Sequence, residues 1–510
     1  MRDLKDVLKA TGYLTDEKKE FISKAYRFAL QIHSNQLRPY SKEPMDVHAT
    51  RVALILAELG MAHETIAAGL LHHALREGNI SKEMIAAGFG DTVALLVEGA
   101  TKLRDIQYNS HVRHIESLRK LFVASATDIR ILILKLADRL DAIRSLGTVD
   151  KSRHFRIARE TMEIYVPLAY RLGLRTITRE LEDLAFKYID PEKHAELEKK
   201  LKKQRRESNE SLEKFRKALL KHLVKAGIRD AETDTRLKSI YSVYTKMAKR
   251  DKELGKIYDI SAIRVHVASV EDCYRTLGVV HGSWRPLPGR IKDYIAFPKP
   301  NGYQSLHTTI FTGDGTFVEI QIRTHSMHDQ AEYGMASHLA YKERERGIND
   351  PHDSWFDQFF PHPAVGTERN ELAKRFPYIP QWLLNIVSLK SFATDESDSM
   401  PLQSDFFQHR MFIFDVHGDV VDLPLHATPL DFAYELDTNV GNHFLGAKVN
   451  GKMVSIDTEL HNEDIVEIQT KPSAHPTEKW LLYAKTALAK HHIKQYLEAT
   501  KAKLYVSKRK

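Results

Sequence analysis

The segment from Trp284 to Arg323, WRPLPGRIKDYIAFPKPNGYQSLHTTIFTGDGTFVEIQIR, constrains the fold more tightly than any other part of the chain. It ends in strict alternation, Val318-Glu319-Ile320-Gln321-Ile322-Arg323. That period predicts a strand, with Val318, Ile320 and Ile322 turned to a core and Glu319, Gln321 and Arg323 to the other face. Upstream, Pro298, Pro300 and Asn301-Gly302 break any helix and force a turn. Before the turn, Arg285, Arg290, Lys292 and Lys299 fall within fifteen residues against one anion, Asp293. A solvated strand face would do as well with Thr, Lys or Ser. Cations beside an aromatic, Tyr303, and a carboxylate on a rigid strand describe a phosphate-handling cleft instead.

Residues 1–195 follow a helical period almost throughout and predict an all-α domain. Val52–Ala57 and Thr65–Leu71 are apolar on nearly every side, as in the buried helices of a bundle. Glycines 60, 78, 90 and 147 mark helix ends. Inside this domain His48, His72-His73 and Asp138 form a candidate metal constellation, since imidazoles and a carboxylate on different buried helices can hold a divalent cation. Asp138-Arg139 reads equally as a buried ion pair. Spacing alone leaves the two open.

The charged run at 192–226 predicts a solvated helix joining two domains, apolar only from Phe215 onward. A mixed α/β domain over 196–345 follows. Lys238, Ser242 and Lys246 are spaced i, i+4, i+8 and predict one helical ridge facing phosphate, with Ile240, Val243 and Met247 on the buried side. Tyr258–Val267 reads as a strand with Asp259 at its start. Asp259 and Glu319 are two strand-borne acids among cations, and carboxylates facing a polyphosphate normally hold Mg²⁺. Phosphoryl or nucleotidyl-type transfer is the chemistry this pattern implies. The chain has neither a Walker A nor a GxGxxG loop.

Residues 346–408 read as a connector with a short helix near Trp382. Over 409–475 the pattern strand, strand, helix, strand, with Asn450-Gly451 at a hairpin turn, predicts a small β-grasp module, and 476–510 a basic helical tail frayed at its end. Net charge is +8 (76 Lys and Arg against 68 Asp and Glu), which favours anionic partners such as nucleotides or RNA. The lone Cys273 rules out an internal disulfide. No apolar run approaches the roughly 20 residues a membrane span needs, and Met1–Gly12 lacks a signal-peptide core. The expected location is cytoplasmic, with no membrane partner.

RLKSIYSVYTKM, YDISAIRV, WRPLPGRIKDYIAFPKPNGYQSLHTT, VEIQIRT and AEYGMASHLAYK, preceded by LADRL and ETMEIYVPLAYRLG, resemble the RelA/SpoT family of (p)ppGpp synthetase/hydrolases. The resemblance covers about 20–345 and, at about 410–472, a TGS module. It implies a multidomain α+β protein: an HD-type helical domain, a nucleotidyltransferase-like synthetase domain and a β-grasp TGS domain. No zinc-finger or ACT region follows residue 510, so the sequence reads as a shortened member.

The activity implied is ATP:GTP 3′-pyrophosphotransfer, moving the β,γ-pyrophosphate of ATP to the 3′-hydroxyl of GDP or GTP in the stringent response. By resemblance, Asp259 is a Mg²⁺ ligand, and Glu319 helps hold the ion and takes the 3′-hydroxyl proton. Arg236, Lys238, Ser242 and Lys246 resemble the ATP cradle. Lys292, Lys299, Asn301 and His307 resemble contacts to the GDP or GTP acceptor, with Tyr303 stacking on guanine. The basic motif Arg290-Ile291-Lys292-Asp293 is the version that accompanies bifunctional members, and leans the acceptor preference toward GDP.

The hydrolase half departs from the pattern. The family's adjacent His-Asp is here His72-His73, its acidic pair is Arg76-Glu77, and its Asn is Ala142; His48, His72 and Asp138 are kept. A Mn²⁺ site there is doubtful on this ground, and the expectation is an inactive or very weak hydrolase. Alternatives stay open: a bifunctional enzyme retaining weak pyrophosphohydrolase activity, or a non-catalytic regulator binding nucleotide, with (p)ppGpp as a regulatory ligand and tRNA or the ribosome met through the TGS module. Intact Asp259 and Glu319 weigh against the last.

Overall fold

A computed structural model describes residues 3–34, 36–78, 80–102, 128–250, 261–298, 303–312, 317–334, 336–337, 339, 410–416, 420–461 and 464–507. It divides into two compact units, Met1–Val387 and Ser388–Lys510. Among the described residues no helix is long and apolar enough to cross a membrane. The expected connector and its helix near Trp382 lie outside the described residues.

The first unit opens with helices α1 (Leu4–Ala10), α2 (Asp16–Ile32), α3 (Met45–Glu58), α4 (His63–Leu71), α5 (Lys82–Phe89), α6 (Asp91–Lys102), α7 (Arg130–Arg144), α8 (Lys151–Glu160), α9 (Val166–Arg171) and α10 (Arg175–Ile189). The helical half is therefore as its period predicts. Val52, Leu56, Ile66, Leu70, Ile131 and Leu134 are all buried, so α3, α4 and α7 form the centre. Gly69 lets α4 approach α3: a Cβ there would stand 2.6 Å from Leu56 Cδ1. Gly60 and Gly90 end helices with positive φ, 76° and 88°.

Helix α11 (Pro191–Lys225) runs unbroken through the expected 195/196 boundary. It is more than a solvated connector, because Leu197 and Leu201 are buried and Leu212, Phe215, Leu219 and Leu223 close the next core. That core lies under a five-stranded sheet of order β1-β2-β5-β4-β3: β1 (Glu232–Leu237), β2 (Ser261–Val267), β3 (Lys292–Asp293), β4 (Leu306–Phe311) and β5 (Phe317–Thr324). β2 and β5 pair in parallel with Ala262 opposite Glu319; the other pairs are antiparallel. Val318, Ile320 and Ile322 face the core with Ile263, Val265 and Ile310, as alternation predicts. α13 (Val270–Ser283) packs Cys273 and Val280 on the same side.

The opposite face is not a solvated one. Gln321 is 4% exposed and Arg323 is fully buried. Covering this face are α10, α12 (Ile240–Arg250) and α14 (His325–Tyr333). Two contacts fasten α10 to the sheet domain. Asp183 accepts the backbone N–H groups of Ile240 (3.2 Å) and Tyr241 (2.9 Å), satisfying donors at the start of α12 that the helix itself cannot. Glu332, on α14, takes the guanidinium of Arg179 from α10 together with Arg264 and Arg323 of the sheet.

The second unit holds β6 (Arg410–Asp415), β7 (Val420–Pro424), α15 (Pro429–Leu436), α16 (Thr438–Asn442), β8 (Phe444–Val449), β9 (Lys452–Val454), β10 (Ile465–Thr470), α17 (Trp480–Tyr483) and α18 (Ala487–Ser507). Its sheet order is β7-β6-β10-β8-β9 with β10 parallel to β6, the β-grasp arrangement expected. Asn450 and Gly451 turn the β8–β9 hairpin with φ of 50° and 79°. The C-terminal segment is not detached from this module, since Ala489 and Ile493 enter the same core. Buried Asp431 anchors it by accepting from Lys485 N, Thr486 N and Thr486 Oγ1.

After α14 the chain passes so close to α9 that only glycine fits. Gly334 has φ of +50°, and a Cβ there would lie 2.3 Å from the Leu172 carbonyl oxygen. Gly334→Ala is expected to destabilise the first unit by at least about 1–3 kcal/mol, read as a lower midpoint in urea unfolding.

Candidate active site

The polar face of the sheet carries a cavity of about 190 Å³ lined by Arg175, Arg236, Lys238, Lys246, Ala262, Tyr303, His307, Glu319 and Gln321. Its centre follows from strand register. Glu319 is opposite Ala262 on one side and Thr309 on the other, so a small side chain leaves room beside the carboxylate. His307 Nδ1 lies 3.1 Å from Glu319 Oε1, and His307 Nε2 lies 2.7 Å from the Tyr303 hydroxyl. Tyrosine, imidazole and carboxylate thus form one hydrogen-bonded chain. Gln321 Nε2 approaches Glu319 Oε2 at 3.4 Å and its amide oxygen accepts from Arg236 at 3.3 Å, fixing both ends of the site.

Five of the expected residues meet here: Arg236, Lys238, Lys246, Tyr303 and His307 surround Glu319. The expected helical ridge needs correction. Arg236 is on β1, and Lys238 sits in the two-residue link before α12, which starts at Ile240. Ser239 caps that helix by accepting from Ser242 N at 3.2 Å, so the link must leave helical geometry. Lys238 and Lys246 still reach one cavity, whereas the Ser242 hydroxyl bonds to Ser239 Oγ at 2.9 Å. Lys292 is exposed on β3, opposite His307 in register and 5.9 Å from the Tyr294 ring centre. Asp259, Lys299 and Asn301 lie outside the described residues.

Three features escaped the sequence. Tyr303 is only 2% exposed, and the Arg175 guanidinium covers its ring at 4.1 Å from the centre. Gln321 holds the carboxylate. Burial, with Arg179 and Arg175 nearby, lowers Arg236 to about 10. Beneath them, burial would raise the Glu332 carboxyl, but Arg179, Arg264 and Arg323 outweigh it and hold it at about 2. Nothing in the spacing of Arg175 or Glu332 distinguishes them from surface charges.

In the helical half His48, His72 and His73 come together, their ligand atoms within 4.8 Å of one another. All three are buried, as is Asp138. His48 Nδ1 is 2.6 Å from Asp141, and His72 Nδ1 is 2.7 Å from the Gly69 carbonyl oxygen. Burial keeps His72 neutral, lowered to about 3. Asp138 pairs with Lys135 at 2.6 Å rather than with Arg139, whose partner is Glu160. Burial would raise Asp138, yet Lys135 and His48 hold it well below the usual carboxylate range. The ion-pair alternative is thus met by a different cation, and the imidazole cluster stands beside it.

Three family models match the chain: a region found in RelA / SpoT proteins at 235–346, an HD domain at 25–175 and a TGS domain at 411–470. Curated relatives align along nearly all of it. A guanosine-3′,5′-bis(diphosphate) 3′-pyrophosphohydrolase of Aquifex aeolicus is 42% identical over 96% of this chain and 66% of its own length. A Myxococcus xanthus GTP pyrophosphokinase is 38% identical over 95% and 61%. A Vibrio cholerae protein bearing the pyrophosphohydrolase name is 36% identical over 97% and 67%. The chain belongs to the RelA/SpoT family. It spans about two thirds or less of most of these relatives, whose names divide between synthesis and hydrolysis.

In this RelA/SpoT chain the buried Glu332 hub lends itself to a direct test. Its folded value near 2 lies below the ordinary 4.5, so its contribution is complete above about pH 4.5 and is lost as pH falls toward 2. Glu332→Gln is expected to cost about 3–5 kcal/mol at pH 7, because it leaves the fully buried Arg323 guanidinium without its carboxylate. The stability gap from wild type, followed by urea unfolding, should narrow progressively below pH 4.5.

Proposed function

We propose that the chain is a (p)ppGpp synthetase, transferring the β,γ-pyrophosphate of ATP to the 3′-hydroxyl of GDP or GTP. The observation that supports this most is Glu319, held by His307 and Gln321 in a cavity with Arg236, Lys238, Lys246 and Tyr303. A ribose hydroxyl is a weak nucleophile near neutral pH and needs a positioned base. Glu319 takes the 3′-hydroxyl proton as the oxygen bonds to the β-phosphorus. The bond from that phosphorus to the α,β-bridging oxygen breaks, and AMP leaves. Arg236, Lys238 and Lys246 bind the ATP phosphates and stabilise charge developing on the transferred group.

Glu319 offers hard oxygen donors in the cavity, which suits Mg²⁺, with Asp259 as the second acid of the reading. When bound, the ion would neutralise the phosphate oxygens. His307 orients Glu319 and is itself fixed by Tyr303. Lys292, Lys299 and Asn301 serve the acceptor, and Tyr303 is the guanine platform. Since Arg175 covers that ring at 4.1 Å, guanine binding on this face displaces it. The TGS module is the proposed contact to tRNA or the ribosome, and the cytoplasm the place of action.

The helical half is read as an inactive or very weak hydrolase. Where an acidic pair is expected the chain has Arg76-Glu77, and Asp141 is engaged by both Arg51 and His48, so the groups that would activate water are lacking or occupied.

Purified chain incubated with labelled ATP, GDP or GTP, and Mg²⁺ is expected to yield guanosine 3′-pyrophosphate product. Glu319→Gln should reduce it by at least about 10²-fold. No product from wild type, with or without ribosomes, would sink the reading. Arg175→Ala should lower KM for the acceptor by roughly 2- to 30-fold, the range of a cation–π contact, and leave KM for ATP unchanged. A raised acceptor KM would instead make Arg175 part of the acceptor site. Incubation of ppGpp with Mn²⁺ should release little pyrophosphate; release abolished by His48→Ala would overturn the inactive-hydrolase reading.

A further inference from the structure

We infer that His48, His72, His73 and Asp138 form a three-imidazole, one-carboxylate metal centre that selects a borderline cation of the Zn²⁺ type over Mn²⁺. The inference rests on the arrangement of these side chains and stands apart from the synthetase reading.

The first observation is an unbalanced set of buried polar atoms. His48 is fully buried and His72 is 5% exposed, yet the Nε2 atom of each lacks a hydrogen-bond partner. Burying such groups without compensation is costly, and a shared cation supplies the missing interaction.

The second is the outer hydrogen bonding. A metal-bound imidazole usually gives its other N–H to a carboxylate or carbonyl, which fixes the ring and the tautomer. His48 Nδ1 has Asp141, itself held by Arg51 at 2.5 Å. His72 Nδ1 has the Gly69 carbonyl. Both Nε2 lone pairs are therefore directed to the cluster. His73 joins with its ring centre 3.9 Å from that of His72 and 5.2 Å from that of His48, and Glu77 stands 3.6 Å from its Nδ1.

The third is the carboxylate. Asp138 Oδ1 lies 3.3 Å from His48 Nε2 without a hydrogen bond forming between them. Two ligands bonded at 2.0–2.1 Å to a tetrahedral ion stand about 3.3 Å apart, so this pair already has the spacing of one edge. The three imidazoles add ligand atoms that lie within 4.8 Å of one another. Lys135 occupies Oδ2, leaving Asp138 one oxygen to give.

Ligand chemistry then sets the preference. Mn²⁺ favours carboxylate, carbonyl and water oxygens, whereas imidazole suits Zn²⁺, which also ranks above Mn²⁺ in intrinsic affinity for nitrogen ligands. Three nitrogens and one oxygen make a Zn²⁺-type set.

The test uses the full chain, stripped with a chelator and offered Zn²⁺ and Mn²⁺ in competition, with bound metal measured by mass spectrometry. Zn²⁺ should occupy the cluster at one per chain, raise the melting temperature, and displace Mn²⁺. Co²⁺ should give the visible absorption of a tetrahedral centre. His73→Asp, which trades an imidazole for a carboxylate, should lower the Zn²⁺/Mn²⁺ affinity ratio by about ten-fold or more. Asp141→Asn should weaken Zn²⁺ by about 10- to 100-fold. Preference for Mn²⁺, no Zn²⁺ bound, or Zn²⁺ binding unchanged in both His48→Ala and His73→Ala would overturn the inference; the last would place the ion on other histidines. Where a histidine variant fails to fold, the wild-type Zn²⁺/Mn²⁺ competition still tests the preference and Asp141→Asn the location.

Discussion

Glu332 is the point at which three parts of the first unit are tied together. Its carboxylate meets Arg179 from the helical half, Arg264 from β2 and Arg323 from β5, while its own helix lies across the sheet. A lone buried acid would be costly, and so would the guanidinium groups around it. Together they satisfy one another. Full burial of Arg323 and the attachment of α10 to the sheet through Arg179 rest on that mutual compensation.

The alternation at 318–323 was legible because a two-residue period has one structural meaning, and β5 takes it up residue by residue. The β-grasp module was legible for a similar reason, with Asn450-Gly451 turning its hairpin through positive φ. The Lys238–Lys246 ridge was misread because equal spacing suggests one helix. What separates them is Ser239, whose capping hydroxyl starts the helix after Lys238. Tyr303 and His307 were named individually as acceptor contacts, but their linkage into a Tyr303–His307–Glu319 chain depends on register between β4 and β5. Arg175 and Asp183 were invisible, since a charged helix residue looks the same in sequence whether it meets water or another domain.

The two histidine-bearing sites use imidazole differently. In the cavity His307 stands between a hydroxyl and a carboxylate, with both ring nitrogens engaged by protein. In the helical half His48 and His72 each engage only Nδ1 and aim the other nitrogen inward. The first arrangement fixes the position of a carboxylate. The second leaves imidazole nitrogens facing one another at the centre of the helical half, the arrangement from which the metal preference is inferred.

Helix α10 touches the start of α12 through Asp183 and the Tyr303 ring through Arg175, about 12 Å apart along the helix at 1.5 Å per residue. A ligand that lifts Arg175 from Tyr303 therefore acts on a helix that also packs within the helical half. By thermodynamic reciprocity, whatever shift in affinity the helical half imposes on a ligand at Tyr303, that ligand imposes on the helical half in equal measure.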